Sequence, residues 1–230
     1  MDTHISVIIP AHNEEKYIRK TLHSLKNQTY QNYEAIVVAN GCTDQTEEIV
    51  KKRADEKLRV LSLAKANVSV ARNAGALNAN GNILLFLDAD TTLENDSLQK
   101  INQQFTEEYS VATTLVKPDE NKFKYKLAMG FKNFYHRTKL YQGSSGTLIC
   151  RKEDFNVVNG YNPDIIVKEH RKLAIKLKKL KGFTCIDTNV TTSMRRFKRW
   201  GLTKATLFWL GQWLKNYTGD LKKSEYEKVR

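Results

Sequence analysis

The sequence predicts an α/β fold in which a mostly parallel central sheet is flanked by helices. Over the first half of the chain, short apolar runs alternate with segments of helical periodicity, and only short joins separate them. The run at 83–88 is apolar at every position before its final aspartate, which is typical of a strand buried on both faces of a parallel sheet. With 230 residues and 40% hydrophobic content, the chain suits one domain with right-handed crossovers.

Hydrophobic spacing and turn residues define the elements of the first half. Pro10 stops the first apolar run. Tyr17, Leu22 and Leu25 recur at helical spacing in the first helix, and Asp44 offers an N-cap for the second. The predicted strands are 5–9, 33–39, 58–63 and 83–88, and the predicted helices are 14–27, 44–54 and 68–80.

In the second half of the chain, predicted strands and helices alternate less regularly. A Gly-Ser-Ser-Gly turn at 143–146 precedes a strand, and Gly182 ends a helix. The aromatic, basic segment 121–141 has no decisive period, so no element is assigned to it. The remaining predictions are helices at 96–105 and 169–180, strands at 111–116, 147–150 and 183–190, and a basic, aromatic helical segment at 193–230.

The net charge of +13 is concentrated in the second half. Residues 1–117 contain 13 basic and 15 acidic side chains, whereas residues 118–230 contain 25 basic and 10 acidic ones. This asymmetry indicates a surface for anions, such as nucleic acid, anionic lipid or a phosphorylated acceptor. The lysines of 176–181 are equally consistent with a solvated helix face.

The expected compartment follows from targeting signals and cysteine usage. No apolar stretch reaches the length of a membrane span, and the N-terminus lacks the pattern of a secretory signal. Cys42, Cys150 and Cys185 are odd in number and widely spaced, so we expect free thiols. We therefore expect a cytoplasmic protein.

Two carboxylates, Asp88 and Asp90, follow the apolar strand and are separated only by Ala89. Open α/β sheets bind ligands at the C-terminal ends of their strands. Paired carboxylate oxygens at that place favour a hard divalent cation that is shared with substrate phosphates. The simpler interpretation of an isolated Asp-x-Asp is a pair of loop-capping residues, so the other motifs of the chain decide between the two.

Three further motifs accompany the acid pair in a fixed order. They are 6–15 (SVIIPAHNEE), 37–44 (VVANGCTD) and 71–75 (ARNAG), and each stands at the end of a predicted strand or within a predicted helix start. With Asp88 and Asp90, this set resembles the family 2 glycosyltransferases, which have the GT-A fold. The match is close up to the acid pair and looser from there to Gly182.

The resemblance implies a site for a UDP- or GDP-linked sugar at one edge of the sheet. The Asn40 amide would pair with a base edge, and Arg72 would meet the base or a phosphate unless it forms only a surface ion pair. Many relatives carry an Asp at one of the positions of Ala39 and Asn40, which leaves the base open. The implied donor-binding residues are Pro10, Ala11, Asn13, Glu14, Asn40, Gly41, Arg72, Asp88, Ala89, Arg195 and Arg196.

The resemblance also implies a divalent cation, Mn²⁺ or Mg²⁺. Asp90 would be its principal ligand, and Asp88 would face either the metal or the ribose. Oxygen ligands suit both ions, so the sequence does not choose between them. The cation would offset negative charge on the departing nucleoside diphosphate.

On the acceptor side, Glu169 and His170 stand where relatives carry a Glu-Asp pair at a helix start. The Asp of that pair commonly serves as the general base. Either Glu169 or His170 would take this role, and His170 has the intrinsic pKa closer to neutrality. His170 would alternatively ligate the metal, or be a solvated or capping residue.

We therefore expect a metal-dependent, inverting hexosyltransferase that acts on a hydroxyl group of a glycan or lipid-linked acceptor. A donor half (1–117) and an acceptor half (118–192) would form one GT-A domain, followed by the basic segment 193–230. Residues 193–217 would contact the anionic inner face of a membrane, or pack as an ordinary core helix. The alternative is a non-enzymatic anion-binding module. Nucleic acid is not expected, because the acid pair would repel its backbone.

Overall fold

The computed structural model describes residues 3–138, 146–165 and 167–201, and these build one eight-stranded sheet. In chain order the strands are β1 (Ile5–Ala11), β2 (Tyr33–Asn40), β3 (Leu58–Leu63), β4 (Ile83–Leu87), β5 (Thr91–Leu93), β6 (Val111–Pro118), β7 (Thr147–Arg151) and β8 (Phe183–Thr192). Their order across the sheet is β3-β2-β1-β4-β7-β6-β8-β5. Four neighbouring pairs are parallel, and only the pairs β4/β7, β6/β7 and β5/β8 are antiparallel. The predicted mostly parallel sheet is confirmed.

Helices cover both faces of this sheet. Among the described residues they include α1 (Ile18–Lys26), α2 (Thr46–Lys51), α3 (Val68–Leu77), α4 (Ser97–Gln104), α5 (Phe123–Arg137), α6 (Lys152–Val157) and α7 (Glu169–Lys178). Residues 195–201 are also helical. On one face, Leu22 of α1, Leu98 of α4 and Met129 of α5 join the same apolar cluster. On the other face, Ala71 of α3 and Leu177 of α7 join a second cluster.

The parallel pairing of β1 with β2 and β4 determines where the predicted motifs meet. Ala11 pairs with Ala39, and Ile8 pairs with Phe86, so the three strands end at the same edge. Asp88 follows β4 directly at this edge, where its backbone N–H donates to the carbonyl of Gly146 at 2.9 Å. The edge thus gathers the loops that carry the sequence motifs.

Two short elements were not predicted from the sequence. β5 has three residues and α6 has six, and such short segments carry too little of a period to be recognised. The segment without an assigned element forms α5. The first helix begins at Ile18 instead of residue 14, because the carbonyl of Glu14 accepts the N–H groups of Tyr17 and Ile18 in a preceding turn.

The sheet crosses the expected boundary between residues 117 and 118. β6 comes almost wholly from the first part, and it pairs with β7 and β8 from the second part. Residues 143–145 of the predicted turn and most of the C-terminal segment 193–230 lie outside the described residues. No helix in the described part of the chain is long and apolar enough to cross a bilayer.

The contact between α3 and β1 predicts the effect of a small substitution. A Cβ atom added at Gly75 would lie 2.4 Å from Cγ2 of Ile8, a fully buried side chain. Because this overpacks a rigid β-branched neighbour, Gly75→Ala should lower the free energy of unfolding by about 1–3 kcal/mol in urea denaturation.

Gly130 on α5 provides the matched control. A Cβ atom added there meets nothing within 4 Å. Gly130→Ala should therefore raise the free energy of unfolding by about 0.5–1 kcal/mol, because alanine favours the helix. Equal stability of the two variants would contradict the tight α3–β1 contact.

Candidate active site

Side-chain hydrogen bonds join the loops that follow β1 and β2. Oδ1 of Asn13 accepts the backbone N–H of Thr43 at 2.8 Å, and its Nδ2 donates to the Thr43 hydroxyl at 3.0 Å. The backbone N–H of Glu14 donates to the Thr46 hydroxyl at 2.7 Å. Asn13 has a φ of 55°, a left-handed conformation that asparagine tolerates better than most residues. The two loops therefore form a single wall of the site.

Asn40 and Gly41 belong to the connection between this wall and α3. Asn40 is buried, and its Oδ1 accepts the backbone N–H of Asn67 at 2.8 Å. Asn67 in turn caps α3 by accepting the N–H of Val70 at 3.1 Å. Gly41 has a φ of 64°, and a Cβ atom there would lie 2.7 Å from the nitrogen of Ala66. The Asn40 amide was expected to pair with a base edge, and its oxygen is engaged within the protein.

The 71–75 motif connects three parts of the fold. The side chain of Asn73 forms two hydrogen bonds with the backbone of Tyr161. Its Nδ2 donates to the Tyr161 carbonyl at 2.8 Å, and its Oδ1 accepts the Tyr161 N–H at 2.9 Å. Gly75 lets α3 approach Ile8 of β1. Arg72 lies between them and turns toward the acid pair.

Arg72 bridges two carboxylates in a buried position. Its Nη1 donates to Oε1 of Glu169 at 2.7 Å, and its Nη2 donates to Oδ1 of Asp88 at 3.0 Å. The residue is only 3% exposed, so this is not the surface ion pair considered as an alternative. Burial alone would raise the pKa of Asp88, but the Arg72 guanidinium outweighs it and holds that pKa below its usual range.

His170 lies beside Asp88, and Tyr161 fixes its ring. Nδ1 lies 2.8 Å from the Tyr161 hydroxyl, and Nε2 lies 4.0 Å from Oδ1 of Asp88, too far for a hydrogen bond. Nε2 is buried and has no hydrogen-bond partner among the described residues. Burial and the Arg72 charge lower the pKa of His170, so its ring is neutral at pH 7. His170 is therefore not the solvated residue that one alternative assumed.

Asp90 receives its counterion from the segment after β8. Nη2 of Arg195 lies 3.0 Å from Oδ2 of Asp90, and both terminal nitrogens of Arg195 bond the Glu14 carboxylate at 2.6 Å. The guanidinium also lies 4.7 Å from the centre of the Tyr17 ring. Burial, together with the charges of Asp88 and Glu14, raises the pKa of Asp90 to about 7 against the opposing effect of Arg195. Additional positive charge would therefore stabilise the Asp90 carboxylate.

The other predicted site residues lie at the same edge or just after it. Pro10 and Ala11 are buried at the end of β1. Ala89 is buried between the two acids, and its carbonyl accepts the Thr21 hydroxyl at 2.8 Å. Arg196 lies over the ring of Trp200, which is 5.5 Å away.

Three contributors were missed in the sequence. Tyr161 follows Asn159 and Gly160, both of which have a φ of 58°. This Asn-Gly turn is the local feature of the sequence that could have indicated the position of Tyr161. Tyr17 was assigned to the helical face and instead supports Arg195. Lys132 of α5 is a nearby cation whose pKa burial lowers to about 8, while the charge of Asp88 opposes that decrease.

The acid pair fits a divalent cation only as part of a larger ligand set. No three His, Cys, Asp or Glu side chains converge to hold a metal within residues 3–138, 146–165 and 167–201. Asp88 and Asp90 nevertheless offer hard oxygen ligands, and Mg²⁺ sites commonly combine one or two carboxylates with substrate phosphates and water. Burial, with the charges of Asp88 and Glu14, raises the pKa of Asp90, so a nearby cation would stabilise its ionised form. The residues therefore suit a cation that a diphosphate shares.

Known proteins share sequence with this chain. The family described as Glycosyl transferase family 2 matches residues 6–162. Glycosyltransferase GlyA of Streptococcus pneumoniae is 38% identical over 109 residues, which cover 46% of this chain and 16% of that protein. The putative teichuronic acid biosynthesis glycosyltransferase TuaG of Bacillus subtilis is 35% identical over 99 residues, which cover 42% and 39%. The chain spans less than half the length of either relative.

Solved structures share the fold. The mannosyltransferase PcManGT from Pyrobaculum calidifontis in complex with GDP-Man and Mn²⁺ has a TM-score of 0.71 at 19% identity, over 83% of this chain and 57% of that one. S. aureus TarS 1-349 in complex with UDP-GlcNAc has a TM-score of 0.66 at 21% identity, over 83% and 58%. At these identities the likeness concerns the fold alone, and it confirms the GT-A fold.

The raised pKa of Asp90 predicts a pH-dependent stability. Between the ordinary value of 3.8 and about 7, Asp90 keeps a proton in the folded protein that it releases in the unfolded chain, so its contribution to wild-type stability falls as pH rises. Asp90→Asn has no such proton. Its free energy of unfolding, relative to wild type, should therefore increase by up to about 1.4 kcal/mol per pH unit from pH 5 to 7. Urea denaturation in EDTA measures this, and a difference that is constant with pH would contradict it.

Proposed function

The chain belongs to glycosyl transferase family 2, and we propose that it transfers a hexose from a UDP- or GDP-linked donor to a hydroxyl group of a glycan or lipid-linked acceptor. One observation carries this proposal. Arg195 joins Asp90 to Glu14, so the acid pair stands against the loop expected to hold the nucleotide. In the proposed transfer the acceptor oxygen displaces the nucleoside diphosphate in line, which inverts the anomeric centre.

The proposed donor site uses the wall formed by residues 10–14 and 40–41. The hydrogen bonds between Asn13 and Thr43 hold the two loops at a constant separation, as recognition of a base and ribose requires. Arg72 orients Asp88 and does not meet the base in this proposal, because both of its terminal nitrogens are engaged. The two similar structures hold donors with different bases, UDP-GlcNAc and GDP-Man, so the base stays open.

We propose that Asp90, together with Asp88, holds Mn²⁺ or Mg²⁺. When bound, such an ion offsets negative charge on the departing nucleoside diphosphate. Arg195 supports the same end of the donor, because its guanidinium already lies 3.0 Å from Asp90 and its side chain is 23% exposed. Arg196, the next residue, is proposed to assist it.

We propose His170 as the general base. Oε1 of Glu169 already accepts a hydrogen bond from Arg72, whereas Nε2 of His170 has no partner among the described residues. In the tautomer whose Nδ1–H donates to the Tyr161 hydroxyl, Nε2 carries the lone pair that takes the acceptor proton. Glu169 is then a positioning residue that holds Arg72.

We propose a donor half at 1–117 and an acceptor half at 118–192, and contact of residues 193–217 with the cytoplasmic face of an anionic membrane. Most of 193–217 lies outside the described residues. The alternative of a non-enzymatic anion-binding module loses its basis, because the family is one of transferases, and no nucleic-acid partner is proposed.

Asp90→Ala tests the cation assignment. Loss of the carboxylate should reduce donor turnover in Mn²⁺ at least about a thousandfold, measured as UDP or GDP released from the matching sugar nucleotide. Circular dichroism should show an intact fold. Asp96→Ala is the matched control, because Asp96 is a half-exposed carboxylate paired with Lys100 on α4. Wild-type turnover by Asp90→Ala would refute the assignment.

The pH dependence of transfer tests the base. Since burial lowers the pKa of His170, kcat/KM of the wild type should fall at acidic pH with a midpoint below the ordinary value of 6.5. His170→Ala should lower kcat at least about a hundredfold and abolish this acid limb. Glu169→Gln should retain the limb. The reverse pattern would identify Glu169 as the base.

A further inference from the structure

One face of α5 is apolar and open to solvent. Phe123, Leu127 and Phe131 follow one another at four-residue intervals and are 81%, 61% and 64% exposed. Phe134 extends the same stripe and is 58% exposed. A continuous exposed stripe of large apolar side chains marks an interaction surface.

The opposite face of α5 already belongs to the core. Tyr125, Met129 and His136 are buried. Asn133 fastens the helix to β6, because its side chain accepts the N–H of Val116 at 2.8 Å and donates to its carbonyl at 2.9 Å. The helix is therefore anchored with the stripe turned outward, and rotating the stripe inward would break these bonds.

The charged side chains of α5 itself have one sign. Residues 121–138 contain five lysine and arginine residues and no acidic residue. At 100° per residue, Lys124 and Lys126 lie on opposite borders of the stripe, and both are exposed. An apolar, aromatic stripe bordered by lysines matches the boundary of an anionic bilayer, where rings lie at the headgroup level and lysines meet phosphates.

We propose that α5 docks the protein on an anionic membrane surface. A second copy of the chain fits the stripe less well, because it would bring its own lysine borders against these lysines. The proposed docking surface consists of residues of α5, not of 193–217, and it does not depend on the proposed reaction.

Docking through α5 has a consequence for the candidate active site. Lys132 of α5 lies close enough to Asp88 for the charge of that carboxylate to act on its pKa. The helix and the acid pair are therefore close in space. A lipid-linked acceptor would then reach the site from the bilayer, and only this consequence rests on the proposed function.

Vesicle sedimentation of the full chain, without donor or acceptor, tests the proposal. The protein should bind phosphatidylcholine vesicles only when they contain phosphatidylglycerol, and salt should weaken the binding. The double variant Leu127→Ser/Phe131→Ser should reduce the partition coefficient at least about tenfold. Lys124→Gln/Lys126→Gln should reduce it about fivefold for each charge removed.

Leu77→Ser is the matched control. Leu77 is 83% exposed on α3, which packs on the other face of the sheet, so this variant should bind like the wild type. Phe131→Trp provides a direct readout. Vesicle binding should shift the emission of the added tryptophan to the blue, and brominated lipids should quench it. Leu77→Trp should add neither signal.

Three results would overturn the proposal. The first is wild-type vesicle binding by Leu127→Ser/Phe131→Ser. The second is a dimer that this double variant dissociates while vesicle binding persists, which would assign the stripe to a second copy. The third is emission from the tryptophan added in Phe131→Trp that is already blue-shifted without lipid, which would assign the stripe to another part of the chain. None of these measurements requires transferase activity, so a failure of the proposed reaction would leave them interpretable.

Discussion

The arrangement of the site depends on the buried Arg72 guanidinium between Asp88 and Glu169. Taking these groups out of water is costly, and loss of one partner of such an ion pair typically costs about 3–5 kcal/mol. The bridge therefore fixes three separate pieces of the chain: α3, the residue after β4 and the first residue of α7. The bridge also determines the position of His170, because His170 is the next residue of α7. Its ring is held by the Tyr161 hydroxyl, and Asn73 of α3 binds the backbone of Tyr161.

The two guanidinium groups serve different ends of the acid pair. Arg72 is 3% exposed and divides its bonds between Asp88 and Glu169, and the pKa of Asp88 is lowered. Arg195 is 23% exposed and divides its bonds between Glu14 and Asp90, and the pKa of Asp90 remains raised to about 7. A ligand that brings positive charge gains most at Asp90, although the two aspartates look equivalent in the sequence.

Much of the fold was predictable from the sequence, because strand and helix periods are local and the carboxyl ends of parallel strands share an edge. The partners of individual side chains were not, because they lie far away along the chain. Arg72 forms an ion pair with Glu169, which lies 97 residues further along the chain. No residue near Asn40 in the sequence indicates that its amide oxygen accepts the N–H of Asn67. The segment that forms α5 resisted assignment for another reason: both its inward and outward faces carry large apolar side chains, which removes the one-sided period of an ordinary surface helix.

In the proposed reaction, the charge balance of the edge would couple the binding of donor and cation. When all groups are ionised, the ion-paired cluster contains four carboxylates and two guanidinium groups, listed in chain order as Glu14, Arg72, Asp88, Asp90, Glu169 and Arg195. It therefore has two net negative charges, and a diphosphate would add more at the same place. Repulsion between buried charges is weakly screened, so positive charge that arrives with the proposed diphosphate would favour its binding. A divalent ion would supply such charge, and for this reason donor affinity and cation affinity at this edge should rise and fall together.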